Sequence, residues 1–186
     1  MLDWLKNLGK EYPDFWKDYL VQQDVVSTRK VVVHIETTGI NPSKDKILSI
    51  GAIAIENNQI LISSSLEIDL DKDKVLESKE ITNEEALAIQ SLIIFIGNAT
   101  IVGHRIHYDI EILNEYLSKI HCGRMKNNLL DVEVMHSRIL DETGKPYSLE
   151  DLLKAYKIQN SQLVTSGNIA YSIAQLFLKM RSRLGL

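Results

Sequence analysis

The stretch 31–55, VVVHIETTGINPSKDKILSIGAIAI, constrains this chain more than any other. An apolar strand delivers a carboxylate, Glu36, into a Thr37-Thr38-Gly39 turn, and a second apolar strand follows. Alternate residues of a strand share a face. Val32, His34 and Glu36 therefore point one way, and Val31, Val33 and Ile35 the other. Two carboxylates at that spacing could hold a hard cation between them. Here one of the two places carries an imidazole, and the functional question turns on that substitution.

Around this stretch the sequence predicts strands over 30–36, 46–56 and 59–68. Asn57-Asn58 joins the last two, since both residues tolerate the positive φ of a tight hairpin turn. A helix is expected over 82–96, a run rich in helix formers and free of Gly and Pro. Ile101-Val102 reads as a short strand ending at Gly103, and Ile110, Leu113, Leu117 and Ile120 mark the next helix. Leu129-Leu130 is another short strand, followed by a helix over 132–140. Ser148, with Asp151 three residues on, resembles a capping box. Ile169, Ile173, Leu176, Phe177, Met180 and Leu184 form the apolar stripe of a last helix. Three strands with a hairpin, then alternating helix and strand, imply an α/β fold with a mixed central sheet flanked by helices.

Residues 1–27 form a helical prefix to a domain over 28–186. Tyr12, Phe15, Trp16, Tyr19 and Leu20 recur at helical spacing, with Pro13 suited to the first turn. Leu2, Leu5 and Leu8 suggest a shorter helix before it. The aromatic face either packs on the domain's own flank or, together with Trp4, docks another protein or a second copy.

The length, 186 residues, suffices for one domain with a proper core. A net charge of −4 argues against a nonspecific coat for nucleic acid. It does not exclude a nuclease, whose metal site supplies its own positive charge. The single cysteine, Cys122, rules out an internal disulfide and suits a reducing cytoplasm. No apolar run approaches the roughly 20 residues a membrane helix needs, so no membrane partner is expected.

Three further segments carry chemistry. In 101–113, IVGHRIHYDIEIL, a strand ends, His104 and Arg105 follow, and Asp109 stands where a helix begins, a place aspartate suits as an N-cap. Asp131 closes a strand before a helix. The third segment is 162–180, QLVTSGNIAYSIAQLFLKM. Together these resemble the 3′–5′ exonucleases of the DEDD superfamily, the group of the polymerase III epsilon proofreading subunit and RNase T. That family opens with Asp-x-Glu-Thr-Thr-Gly, an Asn-Pro loop and a strand ending Ile-Gly-Ala. Glu36, Thr37, Thr38, Gly39, Asn41, Pro42 and Ile50-Gly51-Ala52 match it. Gly103, His104, Tyr108 and Asp109 fit the second motif, with Arg105 in the asparagine place. The tail 171–177 sets the register of the third motif, putting Val164 at its histidine and Ile169 at its aspartate.

The resemblance implies a ribonuclease H-like fold and a site in which four carboxylates hold two ions of Mg²⁺ or Mn²⁺. Carried over residue by residue, this chain keeps Glu36 and Asp109 as catalytic and metal-holding positions. His34, Ile169 and Val164 occupy the places of the first aspartate, the last aspartate and the general base. Tight metal binding is therefore not expected, and cleavage should be lost or strongly impaired. What remains is a shape able to receive the 3′ end of a single nucleic-acid strand, with Thr37, Thr38, His104, Arg105 and Tyr108 at the substrate side. Two alternatives stay open. One is a residual exonuclease using Glu36 and Asp109 with improvised ligands. The other is a protein-interaction module acting through residues 1–27.

His34 has three readings: a core histidine, an imidazolium paired with Glu36 or Asp109 in place of the metal charge, or a zinc or manganese ligand with both. Arg105 would bind a phosphate or cap the emptied acidic pocket by pairing with Glu36 or Asp109. Tyr108 would pack, or stack on a base. Ile169 is expected to pack in the core.

Overall fold

The computed structural model describes residues 12–142, 144–159 and 165–185. Five strands, β1 (Lys30–Thr37), β2 (Ile47–Glu56), β3 (Gln59–Asp69), β4 (Thr100–Gly103) and β5 (Leu129–Asp131), form one sheet in the order β3-β2-β1-β4-β5. β2 runs antiparallel to β1 and β3, while β4 runs parallel to β1 and β5. The sheet is mixed, as expected. Asn57 and Asn58 close the β2–β3 hairpin at φ 49° and 64°, the left-handed conformation that asparagine tolerates.

Seven helices accompany the sheet among the described residues: α1 (Asp14–Gln22), α2 (Lys72–Glu77), α3 (Asn83–Ile96), α4 (Ile106–Lys119), α5 (Val132–Leu140), α6 (Leu149–Ala155) and α7 (Ser166–Leu184). The alternation along β1 sorts them into two layers. Val31, Val33 and Ile35 enter one core with Trp16, Leu92, Ile106 and Leu113, from α1, α3 and α4. Val32 enters a second core with Met135, Leu152, Ile173 and Phe177, from α5, α6 and α7. His34 and Glu36, on the face of Val32, thus lie on the side of the sheet that α7 covers. Burying each large aliphatic side chain contributes about 1.5–3 kcal/mol, so this two-sided burial fixes the strand register.

Local sequence sets the helix ends. Thr82 and Glu85 form a reciprocal capping box at the start of α3. Ser148 caps α6 by accepting the Asp151 amide proton. The short helix α2 is not among the elements the sequence predicts. Asp71 caps it and Val75 alone anchors it in the core, a signal too brief for periodicity to register.

The prefix helix packs on the domain itself. Trp16 and Tyr19 are 1% and 2% exposed, and their rings stack at 4.5 Å. The Tyr19 hydroxyl donates to Asn127 Oδ1 and accepts the Lys126 amide proton, each at 2.7 Å. Pro13 stands just before the helix rather than in its first turn, and its carbonyl accepts from Trp16 and Lys17. Leu2, Trp4, Leu5 and Leu8 lie outside the described residues.

Gly51 decides how closely α7 approaches the sheet. It pairs with His34 across β1 and β2. A Cβ there would lie 2.0 Å from the Ser166 carbonyl oxygen. Only glycine lets the first turn of α7 sit directly on the strand.

Candidate functional site

The site residues gather at the carboxyl end of β1, beyond the point where β4 stops pairing with it. The β1–β4 ladder extends only to Val32–Val102, while β1 continues to Thr37. Ile35 therefore has an amide facing a gap, and Asp109 Oδ2 fills it, accepting that N–H at 3.3 Å. Asp109 is not the N-cap of α4. Arg105 holds that position in the left-handed conformation (φ 54°), and Asp109 lies inside the first turn. The helix starts four residues before the first mark of its apolar stripe, because Ile106 already packs in the core.

Burial raises the Asp109 carboxyl to about 8, the Ile35 amide opposes the shift, and the charge of Asp131 adds to it. At neutral pH this group is predominantly the uncharged acid. Glu36 is held differently. Ser49, its partner across the β1–β2 ladder, donates to Glu36 Oε2 at 3.1 Å. The Ser49 and Ser166 hydroxyl oxygens lie 2.6 Å apart. A hydroxyl has one proton to give, so Ser166 donates to Ser49 and Ser49 to Glu36. Sequence reasoning missed both serines. Ser49 faces Glu36 through the β1–β2 register, which no turn signal marks, and nothing local flagged Ser166.

Burial lowers the His34 imidazole to about 4; Glu36 opposes the shift and His104 adds to it. The imidazolium surrogate is thereby corrected: desolvation outweighs the neighbouring carboxylate, and His34 is neutral at physiological pH. His104 Nε2 lies 2.9 Å from the Tyr147 carbonyl oxygen. A carbonyl only accepts, so the proton sits on Nε2.

Arg105 pairs with neither Glu36 nor Asp109. Its guanidinium grips Glu133 with two contacts, 3.0 and 3.3 Å. Glu133 also accepts the Tyr147 amide proton at 2.5 Å. The left-handed N-cap turns Arg105 toward α5, away from the cleft. Asp131 accepts the Ile106 amide at 3.1 Å and the Glu133 amide at 2.8 Å, so it ties the starts of α4 and α5 together.

Thr37, Gly39, Ile40, Pro42, Tyr108, Asp109 and Ile112 enclose a pocket of about 70 Å³. Thr37, Tyr108 and Asp109 thus meet at one pocket. The Tyr108 ring is 54% exposed rather than packed. The Thr38 hydroxyl instead braces the loop, donating to Asp45 Oδ1 at 2.9 Å and accepting the Lys46 amide. Ile169 packs partly buried against the second core, and Val164 lies outside the described residues.

A two-ion magnesium or manganese centre needs several charged oxygens in one place. Among the described residues no three His, Cys, Asp or Glu side chains come together to hold a metal ion. Glu36 accepts a serine hydroxyl, Asp109 accepts the Ile35 amide proton, Asp131 is engaged by two amides and His34 brings a half-buried imidazole where a carboxylate would stand. This donor set does not fit a pair of hard cations. No described helix is long and apolar enough to cross a membrane.

Comparison with known proteins agrees with the fold. The family model described as Exonuclease, named for RNase T, matches residues 31–163. The polymerase III epsilon subunit of Rickettsia typhi is 29% identical over 152 residues, covering 73% of this chain and 65% of that protein. The 3′–5′ exonuclease DinG of Bacillus subtilis is 28% identical over 167 residues, covering 84% and 18%. The PolC-type polymerase III of Latilactobacillus sakei is 25% identical over 171 residues, covering 83% and 12%. The chain thus spans between about a tenth and two thirds of these relatives' lengths. Exonuclease I superposes with a TM-score of 0.64 at 16% identity, over 86% of this chain and 42% of that one. Exonuclease X in complex with 5′ overhanging duplex DNA gives 0.57 at 16% identity, over 84% and 93%.

Proposed function

This chain belongs to the DEDD family of 3′–5′ exonucleases, and we propose that its metal-dependent cleavage is lost or strongly impaired while its cleft still receives the 3′ end of a single strand. The observation that carries this reading is the donor set. Of the four places where the family sets carboxylates around its ions, only Glu36 and Asp109 keep one, and the Asp109 carboxyl is already engaged by the Ile35 amide. Water activation and phosphate charge neutralisation both depend on those ions, so hydrolysis loses its two largest contributions together.

The exposed Tyr108 ring beside the Thr37 and Asp109 pocket supports strand binding, because an aromatic face stacks on any base. Exonuclease I, which shares the fold, is known in complex with a dT13 oligonucleotide. The interaction-module reading loses support from α1, whose aromatic face is already covered by the domain.

The test is incubation of the chain with an end-labelled single strand and Mg²⁺ or Mn²⁺. The strand should be retained in a salt-sensitive manner and remain full length. Shortening that disappears in Glu36→Ala would establish the residual exonuclease instead.

A further inference from the structure

Charge is segregated along this chain. Residues 152–186 hold five Lys and Arg and no Asp or Glu, so that segment is +5. The remaining 151 residues hold 16 cations and 25 acids, a net −9 that completes the total of −4. The fold then concentrates the cations. Lys157, Lys179 and Arg183 line one open cleft of about 600 Å³ between the end of α6 and the last turns of α7. All three are exposed. Lys179 donates to the Tyr156 carbonyl at 2.8 Å, and the Arg183 guanidinium lies 4.9 Å over the Tyr156 ring, so both heads are held at the cleft. The carboxylates on the adjacent helix are engaged: Glu150 pairs with Lys154 at 2.9 Å, and Asp151 accepts the Ser148 hydroxyl at 2.6 Å.

We propose that this cleft is a second binding surface for the phosphate backbone of a single nucleic-acid strand. It is distinct from the Glu36–Asp109 site. Seventeen residues of α7 separate Ser166, which hydrogen-bonds into that site, from Arg183, about 25 Å along the helix axis. Lys179 and Arg183 stand one turn apart on one face, a repeat suited to successive phosphates of an extended strand. An acidic peptide fits less well, because tight peptide recognition needs an apolar anchor in a closed pocket. Here Tyr156 is buried, and Ala155 and Leu178 supply the remaining apolar surface. The inference rests on the reading of the chain as a strand-binding domain.

The test uses the full chain, labelled strands of about 20 and about 4 nucleotides, and anisotropy titrations over a salt series. Lys157→Gln with Arg183→Gln should weaken binding of the long strand. It should also flatten the plot of log affinity against log salt by about 1.4, near 0.7 for each phosphate no longer neutralised. Binding of the short strand should not change. The control Lys72→Gln with Lys79→Gln, which removes two charges elsewhere, should leave both strands unaffected. An unchanged slope for the long strand, or an equal loss in the control pair, overturns the surface while leaving the cleft reading intact. No binding of either strand by the parent chain overturns both. Tighter binding of a glutamate-rich peptide than of the strand overturns the choice of partner.

Discussion

Replacing Asp109 by asparagine should stabilise this protein, and increasingly so as pH rises. The carboxyl titrates near 3.8 in an unfolded chain and near about 8 in the fold, because burial penalises its charged form. Between those values the folded state binds a proton that the unfolded state has released. Stability from this group therefore falls as pH rises through the window, and the slope disappears above pH 8. The ceiling is one proton, about 1.4 kcal/mol for each pH unit. Asparagine keeps the shape and the acceptor for the Ile35 amide but has no charge to bury. Taking half of the ceiling, to allow for water entering as the acid ionises, Asp109→Asn should gain about 1–2 kcal/mol over the parent between pH 6 and pH 8. Urea unfolding in chelator-treated buffer at pH 5, 6, 7 and 8 measures this directly. His34 has an opposite pH effect below 6.5, but it is common to both proteins and cancels in the difference. A pH-independent difference, or a variant that loses ground toward pH 8, would refute the assignment of a half-buried, desolvated and unneutralised carboxyl to Asp109.

Two further outcomes follow from the same geometry. His34, lowered to about 4 by burial, should show no imidazole titration near 6.5 by NMR; its contribution costs stability as pH falls from 6.5 toward 4, where only the unfolded chain takes the proton. A His34 titration midpoint at or above 6.5 contradicts this. Gly51→Ala should cost about 2–3 kcal/mol by chemical denaturation, because its Cβ meets the Ser166 backbone, which cannot rotate aside; a destabilisation below about 0.5 kcal/mol would mean that α7 does not rest on the strand.

Much of the architecture was legible because strand and helix periods are read from a few residues each. Val31 to Glu36 declared two faces, and the two cores divide along them. Asn57-Asn58 declared the hairpin, and Ser148 declared the start of a helix that it caps. The site was legible as positions and less so as partners. The Arg105 side chain goes to Glu133, 28 residues away, because a left-handed backbone turn reorients it, and a positive φ at arginine leaves no mark in the sequence. Ser166 reaches Ser49 across 117 residues, through a contact that exists only because Gly51 lets α7 descend. Of the three readings of His34, the imidazolium fails for a physical reason: sharing a face with Glu36 suggested pairing, whereas desolvation is the larger effect.

On this reading the oxygen donors left at the end of β1 are too few to cage a pair of divalent cations. Calorimetric titration of Mn²⁺ into the unmodified chain at neutral pH tests it most directly. The unmodified chain should show no saturable uptake of two ions per molecule. Two manganese ions bound with a defined stoichiometry would contradict it.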